Sequence, residues 1–329
     1  MTGSGDPTDA LPRSLALRTR MLRDAAPADG VYVLYLLDAN LRTQENQALD
    51  TALTLANAHG LPLVVLGELR EDQPLASDRH HRFQLEGLRD VQRGLAEMGV
   101  RGCIRIHRPG RRDDAAAQLV QHAALTVVDD VPTRPYRARR ARLLDQLAQT
   151  GGGPVLAVDA SCVVPMRQVA TAYDRAFKFR NATKQLRRSR LDDSLPPVAP
   201  QQPRYAGDLG LDNDDLSAWD LGELTAACAI DHAVPPVPEF PGGEAAAARH
   251  WADWRDSRLP GYAAKRNDAL QETYVSRLSP YLRHGMIAAT QLAREAARVG
   301  GKGADKFLDE LLIWREMSWA YAFHVPAHD

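Results

Sequence analysis

The sequence predicts a doubly wound α/β domain, built on a parallel five-stranded sheet and followed by an all-α second domain. Three observations carry this. From Val31 short β-rich apolar runs alternate with longer segments of helical period, the pattern of strands joined by covering helices. From Gly242 onward only helical periods occur. The length, 329 residues, exceeds what one hydrophobic core usually organises.

Residues 1–28 contain Gly, Pro, Asp and scattered Arg without a continuous apolar stretch, and are read as a flexible lead-in lacking the core of a signal peptide. The α/β domain occupies 29–160. VYVLYLL (31–37), LPLVVLGEL (61–69), GCIRIH (102–107), LTVVDDV (125–131) and PVLAVDA (154–160) are its strands. Between them Thr43 to His59, Asp78 to Met98, Asp113 to His122 and Thr133 to Ala148 are its helices, the second with Leu85, Leu88, Val91 and Leu95 spaced by three and four. A sheet of this kind opens a crevice at the carboxyl ends of its strands, where ligands commonly sit. The first strand runs into LLDANLRTQEN, so a glycine fingerprint for a dinucleotide and a Walker loop are both absent. TGGGP (150–154) and VGGKG (299–303) follow helical segments and read as helix terminators. Residues 161–241 begin with an Arg-rich helical stretch and pass through LPPVAPQQP and VPPVPEFPGG, the composition of an interdomain connector. The second domain, 242–329, ends in ADKFLDELLIWREMSWAYAFHV. There Phe307, Leu308, Leu311, Leu312, Trp314, Met317 and Trp319 cover nearly the whole circumference, so this helix is expected to be buried on most sides. Its charges, Glu310, Arg315 and Glu316, then require partners.

Hydrophobic residues make up 44% and charged residues 25% of the chain, which excludes a disordered protein. Cys103, Cys162 and Cys228 are odd in number and far apart, which excludes a disulfide framework and a CxxC metal or redox site and fits a reducing, cytoplasmic setting. A net charge of −1 excludes a protein that coats nucleic acid indiscriminately. Basic residues nevertheless cluster twice, at Arg134, Arg137, Arg139, Arg140 and Arg142, and at Lys178, Arg180, Lys184, Arg187, Arg188 and Arg190. Each run reads either as a solvated helix face or as a contact for a nucleic-acid backbone.

Glu310 and Trp314 lie four residues apart and so project from one helix face. A carboxyl beside an indole suits a flat polar base, which the acid can hydrogen-bond while the ring stacks on it. The plainer reading is an internal helix whose Glu310 pairs with Arg315 or another cation. In TYVSRLSPYLRHG (273–285), Ser276, Arg277 and Ser279 precede a helix, where hydroxyls and free N–H groups bind phosphate or simply cap. GYAAKRND brings Tyr262, Lys265, Arg266 and Asn267, either a ligand contact or an exposed helical turn with one aromatic.

The order LPGYAAKRND, SRLSPYLRHGMIAA, FLDELLIWREMSW resembles the corresponding run of class II cyclobutane-pyrimidine-dimer photolyases, of the photolyase/cryptochrome family. DRHHRFQLEGLRDVQRGLAEMGV is similar to that family's RxxFxLEGLxxV helix, VLAVDASCVVP to the close of its α/β domain, and RTQENQAL keeps Arg42, Asn46 and Leu49 of an RxxDNxAL-like sequence. The resemblance spans roughly residues 30 to 329 and implies light-dependent repair of pyrimidine dimers in DNA: reduced FAD, once excited, passes an electron to a flipped-out dimer, the cyclobutane ring splits and the electron returns. It implies that Glu310 hydrogen-bonds to the dimer, that Trp314 packs on its bases, and that Tyr262, Val275, Ser276, Arg277, Leu278 and Ser279 hold FAD. It further implies an antenna chromophore of unspecified identity as an option for the first domain's crevice, DNA as partner of a monomer, and no membrane. Family members continue beyond the segment equivalent to YAFHVPAHD, so the helical domain and its flavin pocket are expected to be incomplete in this chain, with repair activity lost as one outcome. The alternative is a non-catalytic, cryptochrome-like flavin- or nucleic-acid-binding remnant.

Overall fold

The computed structural model describes residues 7–73, 75–191 and 197–328. The strands are β1 (Thr19–Arg23), β2 (Tyr32–Leu37), β3 (Leu63–Leu69), β4 (Arg101–Ile106), β5 (Ala123–Asp129) and β6 (Val155–Val158). The helices of the first part are α1 (Arg13–Ala16), α2 (Gln47–His59), α3 (Asp78–Glu97), α4 (Ala115–Leu119) and α5 (Arg134–Thr150). Sheet order is β1-β6-β5-β2-β3-β4, with β1 antiparallel to β6 and the other neighbours parallel. The parallel strands are buried on both faces, which is why they read as unbroken apolar runs.

The sheet has six strands where the sequence indicated five, and the added one comes from the stretch read as a flexible lead-in. β1 reads TRMLR, with too little apolar content to signal a strand by itself. It is fixed from outside by pairing with β6 and by the buried Arg18, whose guanidinium donates to the carbonyls of Asp159, Cys162 and Val163. Elsewhere the local signals are realised. Asn46 caps α2 by accepting from the N–H groups of Ala48 and Leu49, and Gly151 and Gly300 end α5 and a later helix with φ of 81° and 68°.

The connector carries α6 (Ala176–Ala182), α7 (Lys184–Leu191) and α8 (Leu221–Ala226). Part of it seals the outer edge of the sheet. The Asp214 N–H donates to the Ile104 carbonyl, the N–H groups of Ile104 and Ile106 donate to Asn213 Oδ1 and Asp214 Oδ2, and Arg108 and Arg111 close on the same Asp214. An edge strand that would expose unpaired backbone groups is thereby covered.

The remaining helices are α9 (Glu244–Ser257), α10 (Tyr262–Lys265), α11 (Ser279–Arg283), α12 (Ala289–Val299), α13 (Gly301–Asp309) and α14 (Glu316–His324), with a π-helical turn, Glu310–Arg315, joining the last two. One hydrophobic core runs from the sheet (Val33, Val65, Val127) through α2 and α3 to Trp251, Trp254 and Phe307. The join is specified by Arg42, which donates to the carbonyls of Ala160 and Gly285 from within the interface. Gly285 has φ of 60°, and a Cβ there would collide with the Ala39 carbonyl, so glycine is required on both counts. No helix of the described residues is long and apolar enough to cross a membrane.

Candidate functional site

Two neighbouring constructions share the π-helical turn. The first begins with packing. Trp251 on α9 is buried, stacks on Phe307 of α13 at 5.2 Å and donates from its indole N–H to Glu295 at 2.7 Å. Trp254, one turn on, meets the Tyr262 ring edge-on at 5.4 Å. This aromatic stack fixes α10 against α13, and Tyr262, buried within it, has its hydroxyl pKa raised by burial and then by the nearby Glu310 carboxylate. From α10 the Arg266 guanidinium reaches Glu310 Oε1 at 3.3 Å, and from α13 Lys306 Nζ reaches the same oxygen at 2.7 Å. Hydrogen bonding to Glu310 raises the Lys306 pKa, which keeps the ammonium charged. Both cations therefore meet Glu310 at Oε1, and Oε2 makes no hydrogen bond among the described residues.

A π-turn inserts one residue into a helix and recurs at functional sites. Here it buries Leu311, Leu312 and Ile313 and leaves Glu310 (side chain 31% accessible) and Trp314 (48% exposed) on the open side. The pairing expected for Glu310 with another cation is met by Lys306 and Arg266. Arg315 points elsewhere, over the Trp319 ring at 5.3 Å. Glu316 turns inward and accepts from the N–H groups of Val163 (2.5 Å) and Val164 (3.4 Å). The helix is thus buried on one side only, contrary to the all-round burial its composition suggested, because Trp314, Ser318 and Tyr321 face outward.

The second construction is a cleft of about 790 Å³. Its floor is Ala39 and Val131, just past the carboxyl ends of β2 and β5, where the strand order reverses. Asp129 closes that switch point by accepting from the N–H groups of Asp38 and Ala39, the Asn40 amide and the Tyr35 hydroxyl. The walls bring Ser279 and Arg283 of α11 opposite Thr133, Arg134 and Ser161, with Arg315 and Trp319 completing one side. Arg315 Nη1 is buried without a partner among the described residues. Hydroxyls, guanidinium groups and an aromatic ring in one cleft suit a phosphate-bearing aromatic ligand.

Of the residues singled out for flavin contact, Ser279 lines this cleft, Leu278 is buried in the hydrophobic core and Tyr262 lies near Glu310. Val275 is exposed, Ser276 is engaged through its carbonyl with His250 Nε2 at 2.7 Å, and Arg277, at φ 50°, meets Glu272 at the surface. The capping alternative fails, for α11 starts without any side-chain cap. Lys306, Arg283 and Trp319 were missed. The Lys306-to-Glu310 spacing of four was a usable signal, whereas nothing local marks Arg283 or Trp319.

The first basic run is largely internal. Arg140 donates to the carbonyls of Asp129 and Val131, Arg137 to those of Pro132 and Pro326, and Arg139 pairs with Asp38 at 3.6 Å. Arg139 and Arg140, with Arg142, line the crevice above β2, β3 and β5, whose volume is about 90 Å³. Among the described residues no cluster of His, Cys, Asp and Glu is arranged to hold a metal ion.

Residues 33–202 match the DNA photolyase family model. The chain is 30% identical to a deoxyribodipyrimidine photo-lyase of Methanothermobacter thermautotrophicus over 95% of its length and 66% of the relative's. It is 30% identical to one of Oryza sativa subsp. japonica, over 95% of the chain and 62% of the relative. Among solved structures it is similar to a class III photolyase of Agrobacterium tumefaciens (TM-score 0.64, 20% identity, 92% of this chain and 61% of that one). A Synechocystis cryptochrome gives a TM-score of 0.66 at 19% identity, covering 89% and 61%. The chain thus spans just under two thirds of these relatives.

Proposed function

Because the chain belongs to the DNA photolyase family, we propose that it serves light-dependent repair of cyclobutane pyrimidine dimers in DNA, as a monomer of the class II type with FAD as cofactor. The observation that carries this reading is the π-turn, which presents Glu310 and Trp314 together on an accessible face and holds Glu310 by two cations at Oε1, with no hydrogen bond to Oε2 among the described residues. The other oxygen is left to accept from a ring N–H of an extruded base, while the Trp314 indole packs against the base face. Lys306 and Arg266 hold the acid in place and put positive charge next to the position where negative charge develops on the reduced dimer, the form of stabilisation that costs no reorganisation.

The donor set fits FAD. Ser279, Arg283 and Arg315 would meet its phosphates in the cleft, Arg315 with an Nη1 that has no partner among the described residues. We extend the proposal to Tyr262, Val275, Ser276, Arg277 and Leu278, none of which lines that cleft. Reduced FAD, when bound and excited by light, would supply the electron that opens the cyclobutane ring. In this reading 29–160, joined by β1 from the lead-in, is the α/β domain, 161–241 the connector and 242–329 the flavin-binding part. An antenna chromophore in the sheet crevice would first have to part Arg139 from Asp38, since planar ligands occupy several hundred Å³.

Illumination of the FAD-supplemented protein with an oligothymidylate carrying one dimer tests the proposal. Reversion to intact thymines in light and none in darkness is expected. A flavin-loaded protein that leaves dimers intact in light would instead favour the cryptochrome-like alternative.

A further inference from the structure

The connector's second basic run has a defined place beside the π-turn. α6 is fixed there by Arg180, which pairs at 2.6 Å with Asp309, the residue before Glu310. α7 is seated by Leu186, which packs against the hydrophobic cluster that includes Phe179, Ile313 and Ala320. Four of the eight residues of α7 are basic and none is acidic. Two of the four are used internally: Arg187 donates to the Arg180 carbonyl and the Thr183 hydroxyl, and Arg190 to Gln168. Lys184 and Arg188 remain, one helical turn apart on the exposed face, and neither pairs with an acid among the described residues. Like charges at this spacing destabilise a helix, and a helix of eight residues has little margin to absorb that. On α6, Phe177 is 56% exposed.

Two cations without an acidic partner among the described residues and an outward aromatic, next to the proposed lesion-facing turn, are the components of a nucleic-acid groove. We infer that α6 and α7 form a DNA-contacting surface in which Lys184 and Arg188 bind backbone phosphates and Phe177 offers a stacking face. This deepens the photolyase reading and rests on it for the choice of polyanion.

Fluorescence anisotropy of labelled oligonucleotides, dimer-containing and undamaged, measured across a salt series, tests it without requiring flavin or light. The Lys184→Ala/Arg188→Ala protein is compared with Arg13→Ala/Arg298→Ala, which removes two exposed charges outside both basic runs, each checked for an unchanged melting temperature. Loss of two phosphate contacts should lower the slope of log K against log salt by about 1.4–1.8 in the α7 variant and leave the control's slope intact. Phe177→Ala should weaken binding several-fold at every salt concentration with the slope unchanged. Equal losses in the two double variants, or no DNA binding by the unmodified protein, overturn the inference. Equal affinity for damaged and undamaged DNA, with the slope change present, upholds the surface and counts against the lesion pocket alone.

Discussion

Glu310 is the residue on which the site turns, and its environment makes a graded prediction. With Lys306 replaced by Met, one of the two anchors on Oε1 is lost while flavin contacts in the cleft stay as they were. Light-driven repair yield should fall several-fold, and Lys306→Arg should restore most of it; equal yields from the Met and Arg variants would show that the ion pair only stiffens the helix. Glu316 supplies a pH test of the fold. Burial pushes its carboxyl up to about 7, opposed by the hydrogen bonds from Val163 and Val164 and by Arg315. A carboxyl raised above its unfolded value is protonated preferentially in the folded state, so folding takes up a proton between about pH 4.5 and 7, and stability falls as pH rises through that window. The loss is on the order of 3 kcal/mol. Glu316→Gln keeps an acceptor for Val163 and should flatten that slope in urea melts taken at pH 5 and pH 8. Spacing made Glu310 and Trp314 legible in the sequence, and the GYAAKRND motif pointed at Arg266. The backbone N–H groups of Val163 and Val164 that meet Glu316, and the Pro326 carbonyl that accepts from Arg137, lie far away in the chain, where no local period reports them.

At the scale of elements, the parallel strands and their helices were readable because each is apolar enough to announce itself. β1 was not. Its stability is lent by β6 and by Arg18, which sits between the end of β6 and the start of α14. Deleting residues 1–23 should therefore lower the melting temperature markedly, since it exposes the β6 edge and leaves Asp159 and Glu316 buried without that guanidinium. A truncated protein that melted with the full chain would restore the reading of this stretch as a dispensable lead-in. The π-turn was equally hidden, because a helix that widens by one residue keeps the same apolar composition. Gly285 shows the opposite case, a residue legible within LSPYLRHG whose reason is tertiary. Gly285→Ala should cost about 2 kcal/mol or more, from its positive φ and from the contact with Ala39.

At the scale of the whole molecule, the sheet and the helices are joined through one core and through Arg42, so the boundary drawn at residue 242 from composition is not a boundary in packing. Thermal unfolding followed by tryptophan fluorescence, to which four of the five tryptophans (Trp251, Trp254, Trp314 and Trp319) contribute from the helical part, should coincide with that followed by far-ultraviolet dichroism. Two separated transitions would mean that the helical part melts by itself. The arrangement has a functional consequence: the floor of the cleft belongs to the sheet and its walls to both parts, so the flavin site proposed there depends on their union. The most direct measurement is the quantum yield of dimer reversion under near-ultraviolet light by FAD-loaded protein, in parallel with bound-flavin absorbance, for the unmodified chain and Glu310→Ala. The expected result is light-dependent reversion that drops at least tenfold in the variant while flavin content is unchanged. Equal yields from the two proteins at equal flavin content would remove Glu310, and the turn that presents it, from the chemistry.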